Sequence, residues 1–171
     1  MIEAVIFDLD GTLIYLPINY ERLFQEFSEI MKTTDIHPLP RKISKLDEKT
    51  KKEIFEVWSR AELAVSDDVT VKDEGIVTYK KFSEKPKALV TFQGKALVQT
   101  VLQRLDLSFN FAVTREDSLN RVEQIKIAAE KLRASFQNVL FVGNTDDDLL
   151  ATKKVGCQFL RVKDSARLSN F

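Results

Sequence analysis

Two carboxylates and a hydroxyl sit within five residues near the start of the chain, in Asp8-Leu9-Asp10-Gly11-Thr12, directly after the apolar run Val5-Ile6-Phe7. A continuous apolar run is what a strand buried on both faces of a parallel sheet requires. Side chains two apart on a strand project to the same side, so Asp8 and Asp10 share a face if the strand persists that far. Gly11 reaches backbone angles closed to most residues and suits the exit from the sheet. Carboxylates this close repel each other unless positive charge intervenes, and a hard divalent cation bound through oxygen is the usual remedy. Such a cation also carries the negative oxygens of a phosphate. That leaves Asp8 as a carboxylate nucleophile and Asp10 to give and then take a proton. The same residues also read as an exposed strand-to-loop turn, because Asp-Gly is a common turn pair.

Positioning these groups requires a sheet, and the remaining sequence supplies one. From Lys87 onward, apolar strands alternate with amphipathic helices: strands over Lys87–Phe92, Phe109–Val113, Asn138–Val142 and Gln158–Val162 join the opening one. That alternation predicts a doubly wound parallel α/β sheet of about five strands, Rossmann-like in architecture. Open sheets of this kind bind ligands at the C-terminal ends of their strands, where Asp8 and Asp10 fall. A helical interval interrupts the alternation after the first strand. Asn19 is placed to cap a helix with Leu23, Phe24, Phe27, Ile30 and Met31 on one face. A break over Thr33–Pro40 and a basic segment, Arg41 to Lys45, precede a second helix with Ile54, Phe55, Trp58, Ala61 and Val65 on one face. The expected division is an α/β core over residues 1–16 and 70–171, with a small all-helical cap over 17–69. Asp73–Glu84 reads as a further helix, Val69–Val71 as a short β-like stretch, and the polar tail from Lys163 as mobile.

Lys plus Arg and Asp plus Glu both number 26, so net charge gives no reason to expect nucleic acid or an anionic membrane as partner. With 44% apolar and 30% charged residues, the chain has a globular profile rather than a disordered one. No apolar run is long enough to span a bilayer and no basic leader precedes the first strand, so the cytoplasm is the expected compartment. The single cysteine, Cys157, excludes an internal disulfide and a multi-cysteine zinc site.

Val5-Ile6-Phe7-Asp8-Leu9-Asp10-Gly11-Thr12 resembles the first motif of the haloacid dehalogenase-like (HAD) hydrolase superfamily. Phosphatase members read Asp-x-Asp-Gly-Thr there, whereas the dehalogenases replace the second Asp, so Asp10 favours phosphoryl transfer. Thr91, closing an apolar strand, matches the second motif, though Thr is also a common helix cap. Arg121 takes the third-motif Lys position, with Val122 where Pro is usual. Its guanidinium fork suits phosphate oxygens, and it reads equally as a solvated helix charge, as do Lys126 and Lys95. Val139 to Asp148 resembles the fourth motif, with Asn144 in the place of the first Asp and Asp148 in that of the second. An amide oxygen can ligate a hard cation but brings no charge. Thr145-x-x-Asp148 is also a capping-box pattern.

The resemblance implies a Mg²⁺-dependent phosphatase of small phosphorylated metabolites. Asp8 would form the aspartyl-phosphate, with Asp10 as acid and then base. Mg²⁺ would be held by Asp8, the Asp10 carbonyl, Asn144 and Asp148, and the phosphate by Thr91 and Arg121. A phosphomutase fits the same motifs, and Asn144 motivates a catalytically impaired relative that binds a partner through its cap. A response-regulator receiver is disfavoured, because both acids lie on the first strand and a long insertion follows it. Substrate identity and oligomeric state stay open at the level of sequence.

Overall fold

The computed structural model describes residues 1–163; the expectation for the tail beyond Lys163 lies outside the described residues. In chain order, β1 (Ala4–Phe7) and the short β2 (Ile14–Tyr15) lead into α1 (Tyr20–Met31), α2 (Leu39–Ser44) and α3 (Glu48–Ala64). The short β3 (Thr70–Val71), α4 (Asp73–Lys81), β4 (Lys87–Val90), α5 (Lys95–Leu105) and β5 (Phe111–Val113) follow. The chain continues through α6 (Arg121–Lys131), β6 (Val139–Gly143), α7 (Asp146–Val155) and β7 (Gln158–Arg161).

Five strands form one parallel sheet in the order β5-β4-β1-β6-β7, with β1 at its centre. Every residue of β1 is buried, which is why its sequence is apolar without alternation. Val5 and Phe7 face one layer together with Leu97, Val98 and Val101 of α5. Ala4 and Ile6 face the other, against Ile125, Ala128 and Ala129 of α6 and Ala151 and Val155 of α7. The fold is thus the expected doubly wound α/β sheet carrying a helical cap after β1. Within the cap, α1 packs on α3, and Phe27 meets Trp58 edge-on at 5.6 Å. Leu23, Phe27, Ile54 and Trp58 join the same apolar cluster as Val5 and Phe7, so cap and core share one interior.

Several local expectations change. The short β-like stretch at Val69–Val71 has a partner outside the main sheet, since Ile14 pairs with Val71 and Tyr15 with Thr70 in an antiparallel two-stranded ribbon at the root of the cap. Pairing between residues so far apart leaves no local pattern. The basic segment is helical: Pro40 lies in the first turn of α2, where its missing N–H costs nothing. β5 starts at Phe111 rather than Phe109, whose ring instead packs edge-on against Phe7 at 6.0 Å. α4 stops at Lys81, and Lys87 Nζ satisfies the carbonyls of Phe82, Ser83 and Lys85 beyond it.

Candidate active site

Asp8 leaves the sheet in register, its N–H donating to Val142 O of β6 at 2.9 Å, and its side chain is buried. The chain then coils over the Leu9 carbonyl, which accepts from the N–H groups of Thr12, Leu13 and Ile14. Gly11 makes this turn at φ +82°, and a Cβ there would lie 2.2 Å from Asn144 Nδ2. Gly75 in α4 is needed from the other side, since its Cβ would sit 1.8 Å from Thr12 O. The coil moves Asp10 to the root of the cap. Its Oδ1 accepts from Leu16 N–H at 3.0 Å and its Oδ2 from the Tyr20 hydroxyl at 3.2 Å.

Arg121 opens α6, whose cap is Asn120, accepting from Glu123 N–H. Asp117 is occupied in the preceding turn, where its Oδ2 accepts from Thr114 N–H. This start aims the guanidinium back at the sheet. Arg121 Nη2 lies 3.3 Å from Asp8 Oδ1 and Nε lies 3.1 Å from Asp148 Oδ1, while the group rests 4.3 Å from the Phe92 ring centroid. Gln124, one turn on, is wholly buried and its Nε2 donates to the carbonyls of Thr91, Thr114 and Ser118. It thereby ties α6 to the ends of β4 and β5.

Asp148 takes up the capping role that its sequence pattern offered. It completes a capping box with Thr145 at the start of α7, and its Oδ2 also accepts from Asn144 N–H. Its Oδ1 meanwhile meets Arg121. Asn144 Oδ1 accepts from Thr12 Oγ1 at 3.3 Å, which sets it beside Gly11 and the opening motif. Burial pushes the Asp8 carboxyl up to about 8, with Asp148 adding to the rise and Arg121 opposing it. Among the described residues no three His, Cys, Asp or Glu side chains gather as a metal-binding set. The expected metal ligands come together instead as the Asp8 and Asp148 carboxylates with the Asn144 amide between chain segments.

Thr91 is buried at the end of β4, and its Oγ1 accepts from Gln93 N–H at 3.1 Å. The first amides of α5 hold protein carboxylates: Gly94 N–H donates to Glu62 and Lys95 N–H to Glu116. Arg41 and Lys45 are exposed and Lys42 pairs with Asp35 on the surface, so the basic cap segment is a solvated face. A cleft of about 1130 Å³ between α3 and the turn after β5 is lined instead by Lys51, Lys52, Phe55, Arg115 and Glu116, among others. Tyr20, Glu62, Arg115 and Gln124 were not singled out by sequence. Each acts through a partner outside its own helix or turn, ten residues back for Tyr20 and 53 residues apart for Glu62 and Arg115, and only the apolar setting of Glu62 beside Ala61 and Leu63 hints at burial.

No family model matches the chain, and neither does any curated protein. Solved structures do. A hydrolase from Pseudomonas syringae shares 19% identity over 92% of this chain and 82% of its own, with a TM-score of 0.69. A haloacid dehalogenase-like family protein from Streptococcus pneumoniae shares 18% over 95% and 85%, also at 0.69. CbbY from Rhodobacter sphaeroides, solved in complex with phosphate, shares 16% over 93% and 85%, at 0.68. With its central β1, its cap after that strand and its near-complete overlap with these proteins, the chain carries the fold of the haloacid dehalogenase-like hydrolases.

Proposed function

We propose that the protein is a phosphatase of small phosphorylated metabolites that works through an aspartyl-phosphate on Asp8. The observation that carries this reading is the Asp8–Arg121–Asp148 cluster at the C-terminal end of the parallel sheet, with ion-pair distances of 3.3 and 3.1 Å. A buried carboxylate facing a guanidinium suits attack on an anionic phosphoryl group, because Arg121 neutralises both partners. An Asp8 oxygen forms a bond to phosphorus as the bond to the ester oxygen breaks, and Asp10 gives its proton to the departing alkoxide. Asp10 then takes a proton from water, whose oxygen attacks the phosphoryl group. The acyl-phosphate P–O bond breaks, releasing inorganic phosphate and restoring Asp8. Thr91, at the end of β4, is the candidate phosphate ligand beside Arg121, as the motif resemblance implies.

The donors fit a hard divalent cation such as Mg²⁺: every candidate is an oxygen, from Asp8, Asp148, Asn144 and the Asp10 carbonyl. Burial raises the proton affinity of Asp8 while Arg121 lowers it, and a cation beside the carboxylate would act in the same direction as Arg121. When bound, the cation would supply positive charge and neutralise phosphate oxygens. The cap would exclude water and select the leaving group.

Assays of phosphate release from a panel of phosphorylated metabolites, with and without Mg²⁺, test the proposal. Turnover is expected with Mg²⁺, together with acid-stable trapping of label on the wild type and none on Asp8→Asn. Activity surviving Asp8→Asn removes the nucleophile assignment. Asn144, uncharged where a carboxylate would hold a cation more firmly, favours a second reading: a non-catalytic binding protein built on the same fold. Absence of both turnover and Mg²⁺ binding in the wild type selects it.

A further inference from the structure

Cap and core meet at a charge pair that the proposed chemistry does not use. Glu62 of α3 and Arg115 of the turn after β5 are both wholly buried, with Arg115 Nη2 2.8 Å from Glu62 Oε1. Arg115 Nη1 donates to Glu62 Oε2 at 2.9 Å and to Phe92 O at 3.2 Å, and Nη2 to Ser59 Oγ at 2.8 Å. The guanidinium lies 4.3 Å from the Trp58 ring centroid. Both Glu62 oxygens accept from Gly94 N–H, at 3.2 and 3.3 Å. Burial pushes the Glu62 carboxyl up and the Arg115 guanidinium draws it back down.

A desolvated ion pair is a poor source of stability, since apolar residues of similar volume often serve as well. What this one does that apolar residues would not is grip one loop at two points. Arg115 holds the Phe92 carbonyl and Glu62 holds the Gly94 amide. That loop begins at Thr91, and the Phe92 ring supports the guanidinium of Arg121.

We infer that Glu62 and Arg115 form a clamp, half of it borne by the cap, that holds the loop Thr91–Gly94 in its phosphate-binding shape. The inference rests on the reading of Thr91 and Arg121 as phosphate ligands. Withdrawing α3 from the core breaks the Glu62–Gly94 contact, so the phosphate site is complete only with the cap seated. Both residues are positioning residues, acting through the loop rather than on the phosphate.

The double variant Glu62→Met/Arg115→Met removes one negative and one positive charge together, so the net charge is unchanged, and it takes away both grips on the loop. Two readouts follow on the full chain: hydrogen exchange at the Gln93, Gly94 and Lys95 amides, and affinity for inorganic phosphate by titration calorimetry. Exchange at those amides is expected to quicken about tenfold while the sheet amides hold, and phosphate to bind about tenfold more weakly. If the double variant fails to fold, Glu62→Gln alone gives the same two readouts in the same direction. Loop exchange at the wild-type rate overturns the clamp, whatever the phosphate titration shows. Faster loop exchange in a protein whose wild type binds no phosphate keeps the clamp and overturns the phosphate-site reading instead.

Discussion

The Tyr20 hydroxyl lies 3.2 Å from Asp10 Oδ2, so the first residue of the cap's first helix holds the second carboxylate of the Asp-x-Asp motif. Leu16 N–H holds the other oxygen at 3.0 Å. Asp10 is therefore oriented by the root of the cap, while Asp8 is oriented by the sheet and Arg121. The two carboxylates sit two residues apart in sequence and answer to different parts of the molecule.

Tyr20→Phe removes the hydroxyl and keeps the ring against Phe24, 5.5 Å away. One lost hydrogen bond is worth about 0.5–1.5 kcal/mol, roughly a two- to tenfold effect. The expected fall in kcat/KM is of that size for an alkyl phosphate, whose poor leaving group needs a well-aimed proton. An aryl phosphate with a good leaving group should lose much less. Steady-state kinetics on one substrate of each kind checks this, and equal losses on both would move Tyr20 from aiming Asp10 to holding the fold.

Asp8 makes the metal-free protein sensitive to pH. Burial pushes its carboxyl up to about 8 in the folded chain, well above the ordinary carboxylate range, so the folded state binds that proton more tightly than the unfolded state does. The resulting stability is fully present below the unfolded value and is lost as pH rises through the folded one. Thermal melts of the metal-free protein should show Tm falling from about pH 5 to about pH 8. Asp8→Asn should flatten most of that slope. Glu62, also shifted upward, leaves a remainder of the same sign. Mg²⁺ should raise Tm most near the alkaline end, where Asp8 is ionised.

Arg121 touches Asp8, Asp148 and Gln124 Oε1 with one guanidinium. Arg121→Met leaves two buried carboxylates facing each other without a counter-charge. The expected result is a roughly 10²- to 10³-fold loss of kcat, the scale seen when a transition-state donor is removed. Arg121→Lys should recover part of it, since an ammonium supplies the charge without the fork. Single-turnover phosphate release separates this loss from weaker substrate binding.

How much of this was legible in the sequence depends on how local each signal was. Asp8 and Asp148 follow a strand and a capping pattern, so position along the chain foretold position in space, whereas Arg121, one of three candidate cations, is aimed by a helix start at Asn120 that the sequence did not single out. Asp10 was legible as a residue but not in its orientation, because the Gly11 coil carries it off the strand's face. The Glu62–Arg115 pair was not legible at all. Its members stand 53 residues apart, and a charge on an amphipathic helix reads as solvated until the neighbouring element is known. The same holds for Gln124, whose side-chain amide serves three carbonyls from segments that converge only in the fold.

Asn144 is where chemistry and fold make opposite demands. Its amide lies against Gly11 and accepts from Thr12, beside two carboxylates that already repel. Asn144→Asp is nearly isosteric, so the side chain fits while adding a third negative charge. At an effective dielectric of about 20, a unit charge about 4 Å away is worth roughly 4 kcal/mol, much of which desolvation takes back. Without metal, the variant should melt below the wild type, because nothing neutralises the added charge. With Mg²⁺ the order should reverse, with affinity rising about tenfold or more by calorimetric titration. Unchanged Mg²⁺ affinity would take Asn144 out of the metal's coordination shell and leave it as a residue that packs the Gly11 turn.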